Sequence, residues 1–538
     1  MNAWIVAAIG VPLLLLLGCL SAPVRLRLPA WLPLAPVPAL LAAVFGASDL
    51  PLVLGNARFA LVFAFDAPGR VLLGCAALLW IAAGACANDT LRDRHASGSF
   101  VVCWLMTLTG CVGVFLAADV VGFYFLLAVL SVGASGLVLQ GQGPDALRAG
   151  AVYLGVALLA EAFLLAALVL LVQGSPDGSL LIADVAQSLA TSPERGWTVS
   201  LLLIGLGMKA GLVPMHFWMP WAYAAAPIPA AAVMSGAVVK ASILALLRLL
   251  PSDIALPEFG LPLAALGLLG ALAGALVGLT QTRPKVVLAY SSVSQMGFIL
   301  AVLGMGLASG DAATSRVVTF YAVHHLLVKG GLFLWLGVVP LGRSPWRWPL
   351  WLPAAFLALG LAGLPLTGGA LAKYAAKDVL GNGAAYWAAT VSSITSTWLM
   401  LHFLRRAATV ESEPDPVLVR WPWWVMAVAS VAVPGWLYFA MSMGDLAQAF
   451  APAVLWSSLW PVLAGAALAL AFGLLRRDVP FVAGVPAGDI GVALQGLGRA
   501  GARLGQGLQG IDAVARRWPV ASVSLLLVVA VFYWTIRP

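Results

Sequence analysis

The sequence predicts an all-α polytopic membrane protein of about sixteen transmembrane helices. Three observations lead there. The chain of 538 residues is 62% hydrophobic and only 9% charged, with a mean hydropathy of +1.00, whereas soluble domains carry about 25% charged residues. Apolar runs of about 17–25 residues, the length of a membrane-spanning helix, recur nearly end to end. Those runs do not alternate as barrel strands would, and lipid cannot satisfy an open sheet edge.

Taken in order, the expected spans centre near residues 11, 38, 79, 108, 130, 160, 205, 238, 270, 297, 328, 362, 395, 432, 464 and 527. The first could pass for a signal peptide, and "LLGC" at 16–19 is faintly lipobox-like. No basic n-region precedes it, however, and Arg25 and Arg27 follow it, so it reads as a retained helix. Loop charge orients the set. Arg25, Arg27, Arg92, Arg94, Arg148, Arg283, Lys285, Arg343, Arg347, Arg405, Arg406 and Arg420 follow odd-numbered spans. Even-numbered spans are followed by fewer, mainly Arg58, Arg70, Arg195 and Arg316. Odd spans therefore end in the cytoplasm and the N-terminus lies outside. Arg476, Arg477, Arg499, Arg503, Arg516 and Arg517, after span fifteen, fall on the same side.

Two spans are interrupted. "GMKAGLVPMHFWMPWAYAAAPIP" carries Pro214, Pro220, Pro227 and Pro229, and "GLPLTGGALAKYAAKD" carries Pro365, Gly368 and Gly369. Broken helices expose backbone groups and are tolerated only inside protein or against water. Interruptions paired in two halves of a transporter mark inverted repeats and the transport path. Near the C-terminus, "GDIGVALQGLGRAGARLGQGLQGIDAVAR" is too polar to span. Val492, Leu494, Leu497, Leu504, Leu508 and Ile511 recur at helical spacing and suggest an amphipathic helix along the cytoplasmic surface. The other reading of this glycine-rich stretch is a linker.

Several function classes are excluded. Cys19, Cys75, Cys86, Cys103 and Cys111 sit in or beside apolar runs without CxxC pairing, so they read as small hydrophobes and no metal site is expected. No glycine-rich phosphate loop follows a strand, and no cofactor is expected. The net charge of +8 lies in short loops, where it sets topology; nucleic acid is not an expected partner.

The stretch "YAVHHLLVKGGLFLWLG", residues 321–337, places two histidines and a lysine in an apolar run. Glu161, Lys209, Lys240, Lys329 and Lys373 also fall in apolar runs, with His216, His324, His325 and His402 near or within them. Each lysine at mid-membrane costs about 2.5–3.5 kcal/mol by insertion scales. Snorkelling to a helix end could account for Lys240, and structural hydrogen bonds for His324 and His402. Lys209, Lys329 and Lys373 lack that escape. His325 and Lys329 share a helical face, and a base beside a base lowers the cost of keeping either neutral. A string of bases without an Asp/Glu cluster suits proton relay better than sodium coordination.

These residues carry a resemblance. "KAGLVPMHFWMPWAYAAAPIPAAAVMSGAVVKASILALLR", "RPKVVLAYSSVSQMGF", "HHLLVKGGLFL" and "LPLTGGALAK" resemble four ordered motifs of the antiporter-like subunits of respiratory complex I, cation/proton antiporters, membrane-bound hydrogenases and inorganic-carbon transporters. The resemblance is dense over residues 115–380. It implies two inverted five-helix repeats around a polar axis. Lys209 and Lys373 would be the repeat lysines, with Lys240, His325 and Lys329 connecting them and Glu161, His216 and His324 beside the path. It implies N-terminal helices over 1–98, repeats over 99–250 and 251–405, peripheral helices over 406–477, a lateral helix over 478–517 and a last span over 518–538.

The chain departs from the family pattern at Ala128, where a glutamate pairs with the first lysine, and at Trp221, Ser235 and Arg283; Asp119 is retained. Glu161, on the next helix, is the expected replacement carboxylate; the other expectation is loss of part of the first half-channel. With no redox or hydrolytic site of its own, the chain needs partner subunits, and the resemblance implies an oxidoreductase complex first. The resemblance implies a proton-translocating subunit of a complex related to respiratory complex I. Alternatives are a cation/proton antiporter subunit, with sodium as a second ion, the membrane half of a carbon-accumulating complex, or a scaffold without transport.

Overall fold

Hydropathy becomes helix along most of the chain. The computed structural model describes residues 3–47, 50–56, 59–91, 97–141, 144–175, 178–251, 254–339, 348–409 and 419–474. The expected lateral helix over 478–517, the last span over 518–538, and Arg92, Arg94, Arg343, Arg347 and the basic residues after 474 lie outside them.

The first helix, α1 (Ala3–Gly18), leads through the short α2 (Ala22–Arg25) to α3 (Val37–Phe45). At nine residues, α3 reaches about 14 Å, short of the ~30 Å apolar core, so the span expected near residue 38 is not a full crossing by itself. A departure from the all-helical expectation follows. Strands β1 (Leu52–Asn56) and β2 (Phe59–Phe63) form an antiparallel hairpin, with Leu52 opposite Phe63. Val62 N–H donates to Asp119 Oδ2 at 2.8 Å and Ala118 N–H to the Val62 carbonyl at 2.8 Å. The hairpin is therefore tied to the α5–α6 turn.

The bundle continues with α4 (Ala67–Leu91), α5 (Ser97–Leu116), α6 (Val120–Leu139), α7 (Pro144–Gln173), the short α8 (Ile182–Ser188), α9 (Arg195–Ala210), α10 (Trp218–Ala225), α11 (Ile228–Val233), α12 (Lys240–Leu249), α13 (Pro257–Leu279), α14 (Pro284–Ser309), α15 (Thr314–Val338), α16 (Trp348–Ala362), α17 (Gly368–Leu380), α18 (Ala384–Thr409), α19 (Trp421–Ala440), the short α20 (Leu446–Ala449) and α21 (Pro452–Leu474). Among the described residues, eleven helical segments are long and apolar enough to cross a membrane. Ala3–Gly18 and Trp348–Ala362 are shorter apolar helices. The 26-residue α18 is interrupted by the hydroxyl run Ser392, Ser393, Thr395, Ser396 and Thr397, which lowers its hydropathy. Apart from one hairpin among the described residues, the chain is thus an all-α polytopic membrane protein.

α14 and α15 are the innermost helices, each buried throughout an 18-residue apolar stretch. Small residues let α13 lie directly on α14. A Cβ on Gly267 would stand 2.6 Å from the Ala301 backbone nitrogen, and one on Gly304 2.5 Å from that of Ala264, the small-residue contact by which membrane helices approach. Arg248, in the last turn of α12, holds the end of the bundle. Its guanidinium donates to the Val114, Phe115 and Ala117 carbonyls at 2.9, 2.8 and 3.1 Å, satisfying the open end of α5. It also grips Asp66 through two bonds of 2.7 Å.

Candidate functional site

The two sequence interruptions become two helix breaks. The first separates α9 from α10. Gly211 takes a left-handed conformation (φ 78°) that a side chain disfavours. Trp218 Nε1 donates to the Met208 carbonyl at 3.0 Å, which also accepts from Gly211 N–H at 3.2 Å, so the end of α9 is bonded across the break. Between α11 and α12, residues Met234–Val238 form a π turn, a feature frequent at functional sites. The second break separates α16 from α17. Gly363 (φ 102°) and Leu366 (φ 65°) turn the chain, and the Thr367 hydroxyl caps α17 by accepting from Ala370 N–H at 3.3 Å.

The lysines stand at or between these breaks, in three hydrogen-bonded clusters. In the first, Lys209 Nζ at the end of α9 donates to Glu161 Oε1 on α7 at 2.8 Å and to Ser131 Oγ on α6 at 2.7 Å. A carboxylate of α7 thus meets Lys209, while the α6 position expected to carry one is Ala128. In the second, Lys240 Nζ lies 2.6 Å from His325 Nδ1 and 3.3 Å from the Ser235 carbonyl of the π turn. One turn along α15, Lys329 Nζ donates to the Leu288 carbonyl at 2.8 Å and to the Ser291 hydroxyl. Lys240, His325 and Lys329 are fully buried. Snorkelling, which the sequence left open for Lys240, is therefore overturned: its ammonium turns inward to a histidine.

Of the third cluster, only Lys373 was singled out from the sequence. Tyr321 O–H donates to Gln295 Oε1 at 2.9 Å, and Gln295 Nε2 to Ser396 Oγ at 3.3 Å. One turn away on α18, Ser393 Oγ accepts from Lys373 Nζ at 2.7 Å. Lys373 also donates to the Ala362 carbonyl at 2.6 Å, placing its ammonium at the negative end of α16. Ser291 and Gln295 are four residues apart on α14, so they share a face and lead from the second cluster to the third. The signals for this arm were the hydroxyl run of α18 and the "SSVSQ" of α14.

A cavity of about 30 Å³ lies between the first and second clusters. Lys209 and Ser131 line it on one side, and Val239 and Ser242, flanking Lys240, on the other. It has room for about two waters.

The remaining histidines divide. His216 is buried in the turn Met215–Phe217 beyond the first break. His402 Nε2 meets the Gln281 carbonyl at 2.8 Å, apart from the three clusters. His324 points the other way from its neighbour His325, into the second break. Cβ atoms on Gly368 and Gly369 would lie 2.9 Å from its Nδ1 and 2.8 Å from its Nε2. The structural hydrogen bond expected for His324 is not met. Neither buried ring nitrogen reaches hydrogen-bond geometry with the described residues, although the Gly360 carbonyl stands beside the ring. Among the described residues no group of His, Cys, Asp and Glu side chains has metal-binding geometry, and all five cysteines are free.

A membrane bundle with paired helix breaks and buried lysines between them belongs to a defined class. The chain is a member of the NADH:quinone oxidoreductase/Mrp antiporter transmembrane family, whose model matches residues 117–399. NADH-quinone oxidoreductase subunit N of Chromohalobacter salexigens is 33% identical over 299 residues, covering 51% of this chain and 60% of that one. Hydrogenase-4 component B of Escherichia coli is 30% identical over 306 residues, covering 53% and 45%. The chain thus matches less than two thirds of either relative's length. In fold it is similar to a chain of the Mrp complex from Dietzia sp., with a TM-score of 0.77 at 22% identity over 100% of this chain and 63% of that one. A chain of respiratory complex I from Thermus thermophilus gives 0.64 at 24% identity, over 81% and 98%.

Proposed function

We propose that this chain is a proton-translocating subunit of a multisubunit membrane complex related to respiratory complex I. The observation that carries the reading is the series of buried polar clusters from Glu161–Lys209, through Lys240–His325–Lys329, to Gln295–Ser396–Ser393–Lys373. An ammonium costs several kcal/mol to bury even after relaxation. Carbonyls, hydroxyls and the Glu161 carboxylate offset that cost here. The lysine amines, the imidazole and the carboxylate can accept and release protons when a neighbour's charge changes.

In this reading each break with its lysine belongs to one of two inverted repeats, 99–250 and 251–405. The helices of 1–98 and 406–477 flank them, followed by a lateral helix over 478–517 and a last span over 518–538. Lys209 and Lys373 load the two halves, with Glu161 as counter-ion to the first. Lys240, His325 and Lys329 pass protons between them, and His216 and His324 stand beside the breaks. The chain sits in the bacterial inner membrane with its N-terminus outside. Partner subunits supply the chemistry that drives it, since moving one charge against 100 mV takes about 2.3 kcal/mol.

The test is gentle purification from native membranes, with mass spectrometry of what co-purifies and proton uptake measured in the reconstituted assembly. Iron–sulfur and quinone- or hydrogenase-type partners with coupled proton movement are expected. Small antiporter subunits alone, or a single large zinc protein, would replace the redox-coupled reading. An assembly that moves no protons would refute translocation.

A further inference from the structure

Lys373 is not the last lysine on α17. Lys377 follows one helical turn later on the same face, half-buried, with Nζ donating to Ser457 Oγ on α21 at 2.9 Å. The Ser457 hydroxyl donates in turn to the Val454 carbonyl at 2.8 Å, which leaves its oxygen free to accept from the ammonium. The same ammonium lies 5.7 Å from the Tyr374 ring centre and 6.0 Å from that of Tyr386 on α18, within cation–π range.

Both lysines line a cavity of about 50 Å³, together with Thr390 and Ser393 of α18 and Ser457 and Ser458 of α21. That volume holds about three to four waters. Lys377 is in the last turn of α17, Tyr386 in the first turn of α18, and Ser457 near the start of α21. The cavity therefore runs from Lys373 toward one end of the bundle, where the neighbouring Asp378 is exposed. A lysine that only snorkelled would extend from that end into water. This one is held between a hydroxyl and two rings across a polar cavity.

We infer that this cavity is the aqueous mouth of the second half of the path, and that Lys377, latched to Ser457, is a positioning residue governing proton exchange between Lys373 and water. The inference rests on the proton-translocating reading and gives the second half its outlet, between α17, α18 and α21. Displacing Lys377 from Ser457 would open a hydrated route to Lys373. Returning to Ser457, it places a positive charge across that route and repels a second proton.

The experiment uses the assembled complex in native membrane vesicles. Ser458→Cys, in the cavity wall, is exposed to a membrane-impermeant cationic methanethiosulfonate at each face in turn, with the unmodified protein as background for the native cysteines. Modification from one face only, with at least a tenfold loss of proton translocation, is expected. Lys377→Met is expected to lower translocation to a similar degree and shift its pH profile, and Lys377→Arg, which keeps the charge, to restore most of the rate. No modification from either face, or modification with translocation intact, overturns the inference. So does Lys377→Met with the parent rate and pH profile. Lys329→Met separates the two levels. If it still translocates protons, the general reading fails; if it does not while Lys377→Met does, only the outlet is lost.

Discussion

Exchanging Glu161 for Gln removes a single charge and keeps the side chain's volume. The carboxylate oxygen is 2.8 Å from Lys209 Nζ, and the two side chains are 6% and 11% exposed. At an effective dielectric of about 20, their attraction is about 6 kcal/mol. Breaking one partner of such a buried pair costs about 3–5 kcal/mol, and Lys209 keeps only its bond to Ser131 from the first cluster. Glu161→Asp withdraws the carboxylate by about 1.5 Å, which leaves about 4 kcal/mol of attraction. The difference of about 2 kcal/mol corresponds to about thirtyfold.

The assay is proton translocation by the assembled complex in vesicles, followed with a pH-sensitive dye and normalised to the amount of complex. Glu161→Asp is expected to slow it by up to about thirtyfold, and Glu161→Gln to bring it to background. A rescue sharpens the test. Ala128 lies three residues before Ser131 on α6, so it shares the face that meets Lys209. Adding Ala128→Glu to Glu161→Gln is expected to restore translocation. Parent rates in Glu161→Gln, with the complex intact, would refute the idea that this pair drives the first half.

Other outcomes follow from the same geometry. Lys240 and His325 are in direct contact, so Lys240→Met and His325→Leu should each abolish translocation. Their stability effects should be non-additive by about 0.5–3 kcal/mol, read by thermal unfolding in detergent. Gly369→Ala would drive a Cβ into the Gly360 carbonyl and to 2.8 Å from His324 Nε2. It is expected to lower stability by about 1–3 kcal/mol and disturb the second break, whereas Gly331→Ala, whose nearest contact would be 3.6 Å, should be tolerated. Arg248→Lys keeps the charge but loses the fork that satisfies α5 and Asp66, a loss of about 2 kcal/mol. Asp66→Asn should cost less than about 1 kcal/mol, because its side chain is 40% exposed.

Much of this architecture was legible in the sequence because its physics is local. Apolar length marks a span, proline and glycine mark a break, and a lysine in an apolar run is conspicuous by its cost. That is how Lys209, Lys329 and Lys373 were found. What was not legible depends on which helices meet. Ser291, Gln295, Ser393 and Ser396 cost little in an apolar helix, so the hydroxyl run of α18 and the "SSVSQ" of α14 mark polar faces without a role; only the packing of α14 against α18 shows them linking Lys329 to Lys373. Lys240 lies near a helix end in the sequence, and only α15 on its other side shows that it turns inward. The hairpin was missed because "LVLGNARFALVF" is as apolar as the helices around it, and its tie to Asp119 spans 57 residues.

The most direct measurement is proton translocation by the assembled complex carrying Lys329→Met. Lys329 lies at the centre of the series, fully buried and bonded to Leu288 and Ser291. Methionine fills its volume without a titratable group. Normal assembly with translocation lowered at least tenfold is the expected result. Normal assembly with translocation at the parent rate would contradict a proton path through this axis.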